Sequence, residues 1–130
     1  MWINENLNPI SARVGDCAVR AIAKALGVDW EKAYTMLAVN GFAMADLPNA
    51  NNVIASVLRQ NGFRREIIPN ECPDCYTIAD FCHDNPHGTY VLGTGTHVVA
   101  VIDGNYYDVW DCGDEIPAYA WYRGDKNGIQ

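Results

Sequence analysis

The sequence predicts an α+β fold in which N-terminal helices pack on a C-terminal antiparallel sheet. Two observations support this prediction. Apolar residues recur at helical spacing between residues 16 and 60, whereas residues 89–122 are rich in β-branched and aromatic side chains. No internal repeat, low-complexity segment or linker interrupts the chain, and its length suits one core. We therefore expect a single domain spanning residues 1–130.

The helical half is predicted from its capping residues and breakers. Residues 1–14 form a lead-in without regular structure, because Asn8-Pro9 disfavours a helix or strand there. Asp16 and Asp29 are suitable N-caps, and Gly27, Asn40-Gly41 and Asn61-Gly62 are typical stops. The predicted helices span residues 16–26, 30–39, 52–60 and 77–83.

The β half is predicted from short apolar runs separated by turns. The run His97–Ile102 is apolar enough to be buried on both faces of a sheet. A turn around Asp103-Gly104 would return the chain as the strand Tyr106–Asp111. Further predicted strands span residues 63–68, 89–92 and 116–122, and residues 124–130 form a polar tail.

Composition excludes several classes of function. The formal net charge of −7 argues against nucleic acid or an anionic membrane as the main partner, and it is compatible with a basic or neutral polypeptide. No apolar run is long enough to span a membrane, and the N-terminus lacks a signal-peptide pattern. We therefore expect a cytoplasmic protein with reduced thiols; the odd number of cysteines, five, excludes a complete disulfide framework.

Cys17 is the candidate nucleophile. It falls in the first turn of the predicted helix, directly after Asp16. Unpaired N–H groups and the helix dipole at that position favour a thiolate over a thiol. The alternative is that Cys17 is a small apolar residue packed under the helix, as free cysteines often are.

His97 is the candidate base, because it starts a strand just after a glycine-rich turn. A two-residue loop at Asp103-Gly104 would place Trp110 opposite His97, and a three-residue loop would place Asp111 there. We expect Asp111 to orient the imidazole, with Asp108 as the alternative in another register. Each residue taken alone also fits an ordinary strand-end role.

Two sets of motifs resemble known proteins. Gly15-Asp16-Cys17 at a helix start, a histidine in Thr96–Val101 and a following aspartate in Tyr106–Asp111 resemble the papain-like cysteine peptidase superfamily. The most similar branch is the small bacterial type related to the leader-peptide-cleaving domains of bacteriocin exporters. From Asn8 to about Trp121 the chain is also similar to small uncharacterised proteins of Firmicutes and their phages.

The first resemblance implies a papain-like fold with Cys17 as nucleophile, His97 as base and Asp111 as the orienting carboxylate. It also implies a glutamine about six residues before the nucleophile, as a donor to the oxyanion hole. Ser11 occupies that position, and no glutamine precedes Cys17. Asn8 is the candidate replacement, with Asn6 as the less favoured alternative. Since one oxyanion donor contributes about 10²–10³ in rate, this departure puts activity in question more than fold.

A second group of residues has metal-ligand chemistry. A Cys-x-x-Cys motif is followed within twelve residues by another cysteine and two histidines; the set is Cys72, Cys75, Cys82, His83 and His87. Such a set is compatible with tetrahedral zinc, although the spacing matches no strong zinc motif. A redox role for the motif is the less favoured alternative, because no βαβ pattern precedes it.

The sequence thus predicts a cysteine hydrolase that cleaves a peptide or isopeptide amide in a protein or peptide substrate, without a cofactor. One alternative is a non-catalytic papain-like module that binds a host or phage protein, in a phage or prophage context. The other is a small zinc-stabilised domain.

Overall fold

The computed structural model describes residues 1–69 and 75–123 and is a mixed α+β fold. Its helices are α1 (Cys17–Leu26), α2 (Trp30–Met44), α3 (Asn51–Gln60) and α4 (Ile78–Asp84). Its strands are β1 (Trp2–Asn4), β2 (Phe63–Ile67), β3 (Thr89–Gly93), β4 (Val98–Ile102), β5 (Asn105–Asp108) and β6 (Tyr119–Arg123). The predicted tail at residues 124–130 lies outside the described residues.

The six strands form one sheet in the order β1-β5-β4-β3-β6-β2. All neighbouring pairs are antiparallel except β1 and β5, which are parallel. The prediction that residues 1–14 contain no regular element is therefore wrong. Trp2–Asn4 adds an edge strand, because the distant segment Tyr106–Asp108 offers its backbone groups to it.

Both faces of the sheet are covered, which explains why β4 is almost continuously apolar. Helices α1, α2 and α3 bury Ile22, Leu37 and Val57 on one face. Helix α4 packs on the other face, where Ile78 lies with the strand residue Val101. None of the four helices in the described part of the chain combines the length and the apolar content that a membrane span requires.

Helix α2 does not end at Asn40-Gly41 as predicted but continues to Met44. Gly41 is buried, and a Cβ atom there would lie 2.9 Å from the carbonyl oxygen of Asp46 and 3.2 Å from the nitrogen of Pro48. The glycine therefore serves close packing of the following loop on the helix. The C-cap is Ala45, which adopts the left-handed conformation.

Gly41→Ala tests this packing, because close packing and helix propensity predict changes of opposite sign in the free energy of unfolding. Alanine is the better helix former by about 1 kcal/mol, so an uncrowded site would gain stability. We expect instead a loss of about 1–3 kcal/mol in the free energy of unfolding, measured in urea, because backbone atoms must shift. Ala43→Gly on the exposed side of the same helix is the control, with an expected loss of about 1 kcal/mol.

The hairpin of β4 and β5 has a two-residue turn. Ile102 pairs with Asn105, and the turn residues Asp103 and Gly104 both have positive φ, 50° and 79°. Two positive φ values are typical of a type I′ turn, whose twist matches that of the flanking strands. Strand β5 ends at Asp108, so the predicted strand end at Asp111 is wrong.

Candidate functional site

Cys17 is the first residue of α1, and this helix starts without the side-chain cap expected from Asp16. Asp16 occupies the N-cap position, but its side chain makes no capping hydrogen bond. Its carboxylate instead accepts hydrogen bonds from Arg20, Trp30 and Asn8. No capping side chain uses the N–H groups of the first turn of α1, the turn in which Cys17 lies.

His97 is positioned by the turn that precedes β4. Thr94 Oγ1 accepts a hydrogen bond from the His97 N–H at 3.1 Å, and the Thr94 N–H donates to the His97 carbonyl at 2.9 Å. Gly95, with φ of 104°, allows the chain to turn between them. The imidazole of His97 and the thiol of Cys17 line the same two grooves, and His97 lowers the pKa of that thiol.

Asp108 is the carboxylate that contacts His97, at 2.6 Å between Oδ2 and Nε2. The expectation that Asp111 orients His97 is corrected, because the two-residue turn shifts the register by one residue. If the observed pairing is continued, Trp110 lies opposite His97 and Asp108 is two residues away on the same side of the hairpin. Asp111 is exposed, and it accepts hydrogen bonds from the Tyr106 hydroxyl and the Gly113 N–H.

The edge strand β1 fixes the backbone of Asp108. The Asp108 carbonyl accepts hydrogen bonds from Trp2 Nε1 at 3.0 Å and from the Glu5 N–H at 3.1 Å. The side chain of Asp108 is 1% exposed and is also held by the Val109 N–H at 2.8 Å and by Arg20 at 2.9 Å. A carboxylate with this many donors stays in one position and stays ionised.

The electrostatics of the site favour a thiolate–imidazolium pair. Burial would raise the pKa of Cys17, but the hydrogen bond with His97, the Val98 N–H and the positive charges of His97 and Arg20 outweigh it and lower that pKa. Burial would lower the pKa of His97, but its hydrogen bonds, above all with Asp108, raise the pKa to about 11. Burial would likewise raise the pKa of Asp108, but His97 and Arg20 lower it.

Two further side chains surround the histidine. The indole of Trp110 lies with its ring centroid 5.1 Å from that of His97. Cys112 is fully buried, and its sulfur lies within 4.8 Å of side-chain donor atoms of His97 and Asp108. Burial raises the pKa of the Cys112 thiol, so it remains protonated and can donate to the carboxylate.

Cys17 and His97 lie where two grooves meet. One groove, of about 430 Å³, has apolar walls formed by Leu47, Ile54 and Val98. The other, of about 420 Å³, is bounded by Arg13 and Trp110. Cys17 and His97 line both grooves.

Asn8, the predicted oxyanion donor, is not available for that role. It is buried, its amide donates to Asp16 at 3.2 Å, and its carbonyl oxygen accepts from the N–H groups of Ile10 and Ala12. Asn8 therefore organises the lead-in loop. Within the described part of the chain, the Asn49 side chain has no hydrogen-bond partner, and it lines the 430 Å³ groove together with Cys17.

The predicted metal ligands do not form a cluster among the described residues. Cys75 is disulfide-bonded, which prevents it from acting as a thiolate ligand, and Cys72 lies outside the described residues. The expectation of reduced thiols is therefore wrong for Cys75. Cys82 is buried in the core, whereas His83 and His87 are exposed. Over residues 1–69 and 75–123, the one group with donor atoms close enough for a metal is formed by His97, Asp108 and Cys112.

Comparison of the chain with family models, curated proteins and solved structures found no match.

Sequence reasoning missed two contributors to this site, Arg20 and Cys112. Arg20 offered a signal, since it lies four residues after Asp16, a spacing at which opposite charges pair along a helix. A buried arginine requires carboxylate partners. Cys112 carried no comparable signal, because cysteine side chains are common in any core.

Proposed function

We propose that this protein is a cysteine hydrolase that cleaves peptide or isopeptide amides with a triad of Cys17, His97 and Asp108. The observation that carries the proposal is that Cys17 and His97 line the same two grooves, while Nε2 of His97 lies 2.6 Å from a buried carboxylate. His97 also lowers the pKa of the Cys17 thiol. A nucleophile, a neighbouring base and an acid that orients the base form the constellation needed for acyl transfer.

The reaction would run in two steps. The Cys17 thiolate attacks the amide carbonyl carbon, and the His97 imidazolium gives its proton to the departing amine, which leaves an acyl thioester. His97 then accepts a proton from water while the resulting hydroxide attacks the thioester and releases the acid and the Cys17 thiolate. Because Nε2 is bonded to Asp108, Nδ1 is the ring nitrogen left for these transfers.

Stabilisation of the oxyanion would come from the first turn of α1. The Cys17 N–H is adjacent to the attacking sulfur, and the uncapped helix start directs partial positive charge to the same place. The side-chain amide of Asn49 in the adjoining groove is the available second donor. Asn49 would take the role of the glutamine that the resemblance implies at the position of Ser11.

We also propose that the fold is papain-like. The nucleophile starts a helix, the base directly precedes a strand, and the acid ends the next strand of the same hairpin. This order agrees with the resemblance drawn from the sequence, with Asp108 replacing Asp111 as the acid. The two grooves on either side of Cys17 fit an extended polypeptide substrate.

One observation favours a non-catalytic binding module as the second candidate function. Ser11 is exposed, with φ of 55°, and Asn8 is engaged elsewhere. Neither residue supplies the oxyanion donor that the resemblance implies. In this alternative the grooves would bind a protein segment without cleaving it.

The test is the rate of alkylation of each free thiol by iodoacetamide as a function of pH. The pKa of Cys17 lies below its ordinary value, whereas burial raises the pKa of Cys82 to about 11. At pH 7 we expect Cys17 to react at least about tenfold faster than Cys82, because the thiolate is the reactive form. Peptide mass mapping after partial reaction gives the separate rates.

His97→Gln provides the control for this measurement. It removes the cation beside the sulfur, so the midpoint for alkylation of Cys17 should move to higher pH. If Cys17 reacted no faster than Cys82 and did not respond to His97→Gln, the thiolate would be absent and the hydrolase proposal would fail.

A further inference from the structure

We infer that Arg20 is a positioning residue, which holds the acid of the triad and the nucleophile's helix in one fixed relation. The inference rests on the proposed function. Arg20 lies one turn into α1 and is 9% exposed. Its guanidinium bridges two carboxylates that come from opposite ends of the chain.

The two contacts use different nitrogens of the same planar group. Nε of Arg20 is 2.8 Å from Asp16 Oδ1, and one terminal nitrogen is 2.9 Å from Asp108 Oδ1. The other oxygen of Asp108 receives His97. Asp108 is therefore held on one side by the helix that carries Cys17 and on the other by the base that serves Cys17.

This bridge has a geometric consequence. Cys17 belongs to α1, whereas His97 and Asp108 belong to the β4–β5 hairpin, so their alignment depends on how the helix sits against the sheet. A guanidinium with two fixed donors resists sliding between these elements better than a single point contact. A shift of about 1 Å in such an alignment costs about 10²-fold in rate.

The bridge also has an electrostatic consequence. The charged or titratable groups around it are Asp16, Cys17, His97, Asp108 and Cys112. Without the guanidinium of Arg20, less positive charge would balance the buried carboxylates of Asp16 and Asp108 near Cys17 and His97. Loss of positive charge near Cys17 disfavours its thiolate, and a less neutralised Asp108 holds the His97 proton more tightly. Both pKa values would therefore rise.

Arg20→Lys and Arg20→Met separate the two consequences. Lysine keeps the charge but cannot bridge both carboxylates with a rigid fork, so we expect a fall of about tenfold in kcat with little change in the alkylation midpoint of Cys17. Methionine removes both the positive charge and the bridge. We therefore expect a fall of about 10²-fold in kcat and an alkylation midpoint of Cys17 at higher pH.

Lys24→Met is the matched control. Lys24 lies one turn further along α1, is partly buried, and forms an ion pair with Glu5 at 3.0 Å. Its replacement removes a positive charge from the same helix without touching Asp16 or Asp108. It should leave the alkylation midpoint of Cys17 and the kcat unchanged.

The outcomes distinguish this inference from the proposed function. If Cys17→Ala leaves hydrolysis intact, the proposed function fails regardless of Arg20. A second outcome would overturn the positioning role even though Cys17→Ala abolishes hydrolysis. In that outcome Arg20→Lys keeps the full kcat, and Arg20→Met keeps the wild-type pH midpoint for alkylation of Cys17. Arg20 would then serve folding alone. Should Arg20→Met not fold, the kcat of Arg20→Lys, which keeps the buried charge balanced, decides the question.

Discussion

Replacement of Cys17 by alanine is expected to lower hydrolysis by about 10⁴-fold or more while leaving the fold intact. The sulfur is the attacking atom of the proposed reaction, and loss of a nucleophile removes nearly all covalent catalysis. The substrate is best presented as a peptide library derived from a whole proteome, with new N-termini counted by mass spectrometry. This readout detects cleavage of peptide bonds whatever the amino-acid sequence around the cut.

Cys82→Ala is the control for this substitution. Cys82 is a free thiol buried on the α4 side of the sheet, and the proposed mechanism does not use it. We expect some loss of stability but retained cleavage by the folded protein. Cleavage that persisted in Cys17→Ala at the level of the Cys82 variant would exclude Cys17 as the nucleophile. If wild type also fails to cleave, yet Cys17 forms a thiolate, the binding-module alternative gains support.

The second large effect is expected for Asp108→Asn, which should lower kcat by about 10³–10⁴-fold. The asparagine amide is neutral, so it stabilises the His97 imidazolium and fixes its tautomer less well than the carboxylate does. The pKa of His97, now raised to about 11, should fall. NMR titration of the His97 ring protons measures this change directly.

The sign of the pH effect follows from the same contact. The active ion pair exists above the pKa of Cys17 and below that of His97, so on the alkaline side wild-type kcat/KM should decline as the pH approaches about 11. In Asp108→Asn the alkaline decline of kcat/KM should begin at lower pH. The contribution of protonated His97 to stability, which is fully present below its ordinary pKa of 6.5 and lost through about 11, should shrink as well.

Asp111→Asn is the matched control, since it makes the same chemical change three residues away. Asp111 is exposed and bonded to Tyr106 and the Gly113 N–H rather than to His97. It should keep kcat and the His97 titration within about twofold of wild type. A larger loss of kcat in Asp111→Asn than in Asp108→Asn would return the role of acid to Asp111.

The local pattern of the sequence already determined most of the secondary structure and two members of the candidate site. Helix α1 follows from strong helix formers between Asp16 and Gly27, and β4 from a run of β-branched residues. Both signals depend on residues close together in the chain. The same proximity made Cys17 and His97 recognisable, because a helix start and a strand start are local features with known chemistry.

The tertiary structure decided which carboxylate faces His97 and what holds it. A change of one residue in the length of the hairpin loop exchanges Asp108 and Asp111, and local propensity does not resolve that difference. Strand β1 forms only because a segment a hundred residues away pairs with it. The bridge from Arg20 to Asp108 likewise depends on how the helix packs against the sheet, since the two residues are far apart in the chain.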